Sequence, residues 1–388
     1  MDFKFTAQQE AFRQEVREFL RKELGPDWKG GKTQEMFSPE FSRKLGKKGW
    51  IGIGWPKEYG GGGRPHMDQL IFGEEMLYGR APAAAHILAQ NMVGPTLINV
   101  GSEEHKKKFL PMILSGEVVF CLAYTEPQAG PDLASLQTNA VADGDYFRLN
   151  GQKTFISFAG EAHYGWIGVR TDPNAPKKHR GISIFIIDMK TPGVTTRELH
   201  TMFDHTLYEV FFDDAKVHKS CVVGQLNQGW YYITQALDHE RVFMAATIAG
   251  YQRIFDEIVE YAKVTKRNGI PLSKDPVIQQ KLTEMAIELH VGRLLGYRLA
   301  WLLEKGIVPF SEASISKVFT SELEKRLGNL GMQVLGLYGQ LQQGTPRYAP
   351  YDGYLEWEYR FSPMQAVGGG ANEIQRIIIA IAGLGLPR

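Results

Sequence analysis

Apolar residues near the start of the chain recur at helical spacing. Phe12, Val16, Phe19 and Leu20 fall on one face, and Thr6 just ahead of them suits a helix N-cap. Helical periodicity continues to about Gly116, with Ser102-Glu103-Glu104 opening a helix that must end before that glycine. Residues 49–63, GWIGIGWPKEYGGGG, interrupt it; they hold too much glycine for a helix and read as a turn-laden connector. From Glu117 to Gly229 the period becomes that of strands. YFRLNGQKTFIS (146–157) places Asn150-Gly151 between two alternating runs, a strong hairpin signal. GISIFIID (181–188) is a β-branched run of strand length, and EVFFDDAKV (209–217) is another, stopped by its two aspartates. From Trp230 onward the period is helical again. It predicts one long helix to about Lys266, then helices over 276–305, 311–340 and 371–383. The expected fold class is α+β: an N-terminal helical domain (1–116), a central antiparallel β-barrel or sandwich (117–229) and a C-terminal helical bundle (230–388). Strands and helices do not alternate, which disfavours a doubly wound parallel sheet.

Composition narrows the function classes. With 43% hydrophobic and 11% aromatic residues the chain can bury a sizeable core. Lys and Arg number 44 against 43 Asp and Glu, so no basic excess points to nucleic acid. Lys106-Lys107-Lys108 reads as a solvated helix face. The two cysteines, Cys121 and Cys221, give no disulfide framework and fit a reducing compartment. Asp2, Glu10, Glu15 and Glu18 argue against a secretory signal or a presequence, and no long apolar segment suggests a membrane span, so the expected location is cytoplasmic. The ten histidines show no His-x-x-x-His pair, so no metal site is expected, and His205 and His218 read as turn or strand-edge residues.

The most informative position is Glu240. On a helical wheel Ile233, Leu237, Glu240, Met244, Ile248, Tyr251, Phe255, Ile258 and Ala262 share a stripe ~80° wide. A carboxylate on an otherwise uncharged stripe suits a general base, because desolvation raises its pKa. The same position suits a structural ion pair with Arg241 or a partner helix. AYTEPQAGPDLASLQT (123–138) reads either as a loop whose amides cradle a ring edge or phosphate, or as an ordinary turn into a strand. MQAVGGGANEIQRIII (364–379) sets three glycines before a helical run, letting backbone approach a ligand.

Taken in order, these segments resemble the acyl-CoA dehydrogenase family of flavoproteins. The resemblance rests on GWPKEYGGGG (54–63), FLPMILSGE (109–117), YTEPQAGPD (124–132), LNGQKTFIS (149–157), EVFFDDAKV (209–217), Asn-Gln-Gly-Trp (227–230) and ANEIQR (371–376). It implies a C-terminal four-helix bundle, bound FAD, an acyl-CoA substrate, an electron-transfer flavoprotein as acceptor, and a homotetramer or α2β2 heterotetramer. By resemblance Leu122, Tyr124 and Thr125 line the flavin. The family's Trp-x-Thr appears as Phe155-Ile156-Ser157, and Gln333 and Gly336 match a stretch that meets the adenine half from a neighbouring subunit.

Departures from the family pattern are equally informative. Many members carry their base in Tyr-Glu-Gly before the last helix, where this chain has Gly368, Gly369 and Gly370. A subset similar to the isovaleryl enzyme places it in Leu-x-x-Glu-Arg, here Leu237 to Arg241, which again points to Glu240 as base. Arg241 would orient the base or meet the CoA side, and the Gly369 N–H would hold the thioester carbonyl. Loss of two side chains implies room for a bulky, branched or cyclic acyl group. Pro131 stands where the family has serine and Leu337 where glycine is usual; of the displaced arginine stretch only Thr265, Lys266 and Arg267 remain as substitutes. The expected reaction is α,β-dehydrogenation of an acyl-CoA to the trans-2-enoyl-CoA. The rival readings are a non-catalytic or FAD-site-completing subunit and a same-fold flavin oxidase or monooxygenase.

Overall fold

The computed structural model describes residues 4–30, 36–345 and 347–387, with the side chains of 237–244 left aside. By internal contacts these residues form two compact units. The first comprises residues up to Met36, Pro65–Ala81 and Arg241 onward; the second comprises Phe37–Arg64 and Pro82–Glu240. The N-terminal helices are thus shared between the units. Among the described residues no helix is long and apolar enough to cross a membrane.

The second unit is built around a sheet. Helices α2 (Pro39–Lys47), α4 (Ala84–Leu88), α5 (Gly94–Val100) and α6 (Glu103–Leu114) precede it, Ser102 capping α6 through its hydroxyl as expected. The strands are β1 (Phe120–Ala123), β2 (Asn139–Asp143), β3 (Tyr146–Ser157), β4 (Tyr164–Arg170), β5 (Ile182–Asp188), β6 (Val194–His200), β7 (Thr206–His218) and β8 (Val222–Val223). They pair in the order β6-β7-β3-β2-β4-β5-β8, with β1 also on β4. Inward side chains such as Leu149, Ile156, Ile167, Phe185 and Val210 form its core.

Three expectations need correction here. The sheet is mixed rather than purely antiparallel, because β1 and β2 both run parallel to β4. The Asn150-Gly151 pair is not a turn: β3 runs straight through it, and the hairpin closes earlier at Gly144-Asp145. Gly144 has φ +63, as a two-residue hairpin turn needs. Gly151 serves a close approach instead. A Cβ there would lie 2.7 Å from the Thr138 backbone, and the β3–β7 register shifts at this point. Nor do Asp213 and Asp214 stop β7; Asp214 takes φ +47 in an irregularity the strand passes through, its N–H donating to Asn150 Oδ1 at 2.9 Å.

The first unit is helical. Thr6 caps α1 (Ala7–Leu24) in a capping box with Gln9, as the N-cap expectation had it, and α3 (His66–Tyr78) follows. The later helices are α8 (Thr247–Val264), α9 (Pro276–Glu304), α10 (Phe310–Leu335), α11 (Tyr354–Gln365) and α12 (Asn372–Ile378); a short pair, β9 (Lys266–Arg267) with β10 (Ile270–Pro271), follows α8. The long helix expected from Trp230 to Lys266 is broken. It ends as α7 (Gly229–Met244) and restarts as α8, with Ala249 N–H donating to Ala246 O. Ala245 and Ala246 are buried there against Leu299 and Ala300, and α9 presents Gly296 to the Ala245 carbonyl. Helix α11, carrying Pro363, is one the periodicity does not announce.

Gly151→Ala should therefore cost about 1–3 kcal/mol or more by forcing the strands apart. Gly144→Ala, whose Cβ meets nothing within 4 Å, should cost only about 1 kcal/mol for its left-handed φ. Denaturant unfolding of the two variants checks the order, which reverses if Asn150-Gly151 is the true turn.

Candidate active site

In the sheet unit the candidate residues converge on one short segment. Leu122 lies in β1, which ends at Ala123, and Tyr124 and Thr125 follow where the ladder stops, so their backbone groups need other partners. Thr154 N–H donates to Thr125 O at 3.0 Å, placing Thr125 beside the β3 irregularity between Lys153 and Ile156. Phe155 sits there at φ +59 with its ring 60% exposed, an outlier for an aromatic residue of the kind that gathers at functional sites. The hydroxyls of Thr125 and Ser157, both half-buried, have no hydrogen-bond partner among the described residues. Two unclaimed hydroxyls and a presented aromatic ring fit the polar edge and flat face of an isoalloxazine. Tyr124 is committed inward: its hydroxyl accepts from Trp166 Nε1 at 2.8 Å and its carbonyl from Lys153 Nζ at 3.1 Å.

That lysine, which the sequence reading missed, lies at the centre of the segment. Lys153 and Glu126 are both wholly buried and paired at 2.7 Å. Glu126 also accepts from Gln137 N–H, Thr138 N–H and Gln128 Nε2 at 2.6–2.8 Å, tying the two ends of the 124–138 loop together. Arg170 donates to the carbonyls of Ala134 and Leu136. Burial pushes the Lys153 ammonium down to about 8, against the pull of Glu126. Burial alone would raise Glu126, but Lys153 and the hydrogen bonds outweigh it and its carboxyl ends below the usual range. Pro131 lies in an exposed bend, next to Asp132, which pairs with Lys178.

The same unit holds a cavity of about 510 Å³ lined by Arg180, Gln228 and Tyr231, with the His179 ring 6.3 Å from those of Trp230 and Tyr231. Helix α7 carries Glu240 and Arg241, whose side chains lie outside the described residues.

In the helical unit the glycine loop follows α11. Gly369 has φ +65, a Cβ on it would meet nothing within 4 Å, and its N–H has no partner among the described residues. Three polar side chains of ANEIQR are engaged within the unit. Asn372 Oδ1 accepts from Lys317 and Ser321, Gln375 Oε1 from Ser314, and Arg376 pairs with Glu322. Gly336, at φ +60, ends α10 with open space around it; Gln333 Oε1 accepts from Lys281, and Arg267 is exposed on β9.

Comparison with known proteins places this arrangement. Residues 6–117 match the acyl-CoA dehydrogenase N-terminal domain, 121–215 the middle domain and 227–384 the C-terminal domain. The chain belongs to the acyl-CoA dehydrogenase family. It is an oxidoreductase of a family whose members are FAD-dependent flavoproteins. The acyl-CoA dehydrogenase FadE29 of Mycobacterium tuberculosis is 37% identical over 99% of this chain and 98% of its own length. Among solved structures, one described as the Tcur3481–Tcur3483 steroid ACAD shares 36% identity with a TM-score of 0.93, covering both chains fully. The ChsE4–ChsE5 complex of M. tuberculosis shares 38% identity at 0.91, again over both full chains.

Lys153→Met should leave the Glu126 carboxylate buried without its cation and lower stability by about 3–5 kcal/mol. The double variant Lys153→Met/Glu126→Leu should regain most of that loss in denaturant unfolding. A double variant as unstable as the single one contradicts this account of the pair.

Proposed function

We propose that the chain dehydrogenates an acyl-CoA thioester with a bulky, branched or ring-bearing acyl group to its trans-2-enoyl-CoA. Glu240 takes the α-proton. FAD, when bound, would supply the two-electron acceptor for the β-hydrogen, with an electron-transfer flavoprotein as the onward acceptor. Leu122, Tyr124, Thr125, Phe155 and Ser157 hold the flavin, while Gln333, Gly336 and Arg267 serve the adenine half of a neighbouring subunit's FAD. Arg241 orients the base.

One observation carries the substrate reading: the open Gly369, which among the described residues has an unclaimed N–H and no neighbour where a side chain would stand. The N–H polarises the thioester carbonyl, which lowers the α-proton's pKa in the transition state. The empty volume admits branching or a ring, and a structural neighbour is named as a steroid ACAD. For Glu240 the support is its place on α7: Ile233 and Ala236, seven and four residues earlier on the same helix, are buried. Arg180 and Tyr231 offer a cation and an aromatic face in one cavity, which suits the phosphorylated adenosine end of CoA.

A second reading is favoured by Pro131, by Leu337 standing 82% exposed beside Gly336, and by two neighbours whose names join two different chains. In it a non-identical partner subunit completes the FAD site.

Glu240→Gln should keep flavin absorbance and thioester affinity while turnover falls at least about 100-fold. Unchanged turnover, measured with the bound flavin intact, contradicts the assignment of the base. Arg180→Ala should raise KM for the CoA thioester about tenfold or more by loss of a charge-assisted contact. It should leave KM for the matching pantetheine thioester unchanged; equal effects on both sink the nucleotide assignment.

A further inference from the structure

Helix α10 carries a polar stripe through an otherwise apolar interior. Ser314, Lys317, Ser321 and Glu324 follow at spacings of three, four and three, and each is at most 4% exposed. Ser314, Lys317 and Ser321 face the glycine loop and α12, and Glu324 faces α8. Ser314 reaches Gln375 at 2.8 Å, Ser321 reaches Asn372 at 3.1 Å, and Glu324 accepts from Tyr251 at 2.8 Å. At its centre the Lys317 ammonium donates, among the described residues, to Gly370 O at 2.7 Å, Asn372 Oδ1 at 2.8 Å and Ala366 O at 3.3 Å. An ammonium has three N–H donors to give to such acceptors.

The two carbonyls stand at opposite ends of the loop that holds Gly368 and Gly369. Asn372 N–H also donates to Ala366 O at 2.9 Å, closing the loop at its base. Three consecutive glycines have more backbone freedom than any other tripeptide, and no side chains by which packing could hold them. Gly369 and Gly370 both take positive φ, one of several conformations open to them. What singles out one conformation is the fixed separation of the Ala366 and Gly370 carbonyls.

We propose that Lys317 is a positioning residue for the reaction: its buried ammonium staples the two ends of the glycine loop and so keeps the Gly369 N–H turned outward to meet the thioester carbonyl. The inference rests on the reading of Gly369 as that donor. A charge buried beneath the loop does what bulk would do in a loop with side chains, and leaves the space above the glycines open to the acyl group.

Lys317→Met keeps an unbranched stem one atom shorter and removes the ammonium. Amide hydrogen exchange on the substrate-free protein should quicken at least tenfold at Val367, Gly368 and Asn372, whose N–H groups are bonded at the two ends of the loop, while the interiors of α9 and α10 keep their protection. On the flavin-loaded enzyme kcat should fall at least tenfold, KM for the thioester should stay within about twofold, and the visible flavin spectrum should be unchanged. Asn372→Ala removes one acceptor and leaves both carbonyls; it should give smaller changes of the same kind, and it carries the test where Lys317→Met does not fold. Unchanged exchange at Val367, Gly368 and Asn372 overturns the staple, and so does faster exchange spread evenly through the helical unit. Quickened loop exchange with unchanged kcat overturns the link to the reaction. Exchange is read without substrate, so it still decides the staple if Glu240→Gln shows the dehydrogenase reading to be wrong.

Discussion

A buried ammonium stays charged only if oxygens surround its N–H groups, and an irregular backbone segment stays folded only if something takes up its carbonyls. This protein meets both needs at once in each of its units. In the sheet unit Lys153 takes the Tyr124 carbonyl and the Glu126 carboxylate, and through Glu126 the whole 124–138 loop is tied to its own ends. In the helical unit Lys317 takes the carbonyls on either side of the glycine loop. Both segments leave the regular ladder or helix, and both carry the groups assigned to cofactor or substrate. Hydrophobic packing, being non-directional, cannot aim a carbonyl or an N–H; a buried, hydrogen-bonded charge can.

Much of the architecture was legible along the chain because burial imposes a period. The cap at Thr6, the helix opened by Ser102, the strand at 182–188 and the helix at 276–304 all follow from local pattern. Failures came where tertiary contact overrode a local signal. Asn-Gly at 150–151 has the chemistry of a tight turn, yet the approach of Thr138 uses the missing Cβ for another purpose. Two aspartates did not stop β7, because a single residue at positive φ absorbed them. The break at Ala245-Ala246 has no Gly or Pro to announce it, since its surroundings belong to α9, about fifty residues further on.

The candidate site was legible in outline and not in its supports. Thr125, Phe155, Ser157 and Gly369 were reached from motif and resemblance, and each presents an unclaimed group or an open face. The supports were hidden because a lysine in a strand or on a helix reads as a solvated charge. Lys153 did leave a trace: it occupies an inward register of β3, in line with Phe147 and Leu149. Lys317 left another, as the centre of a Ser-Lys-Ser-Glu row at helical spacing. The ANEIQR segment shows the converse. The motif marked a relative of known flavoproteins, and its Asn372 and Gln375 are the acceptors that receive the α10 stripe.

The most direct test of the account is an anaerobic titration of the purified, flavin-loaded protein, followed by visible absorbance, with a branched or ring-bearing acyl-CoA and with a straight-chain one of equal carbon number. The account predicts that the branched or cyclic thioester bleaches the flavin at lower concentration and to a greater extent. Preferential bleaching by the straight chain would contradict the open glycine loop as the determinant of substrate. Flavin that neither thioester reduces would contradict the chain's assignment as the catalytic subunit.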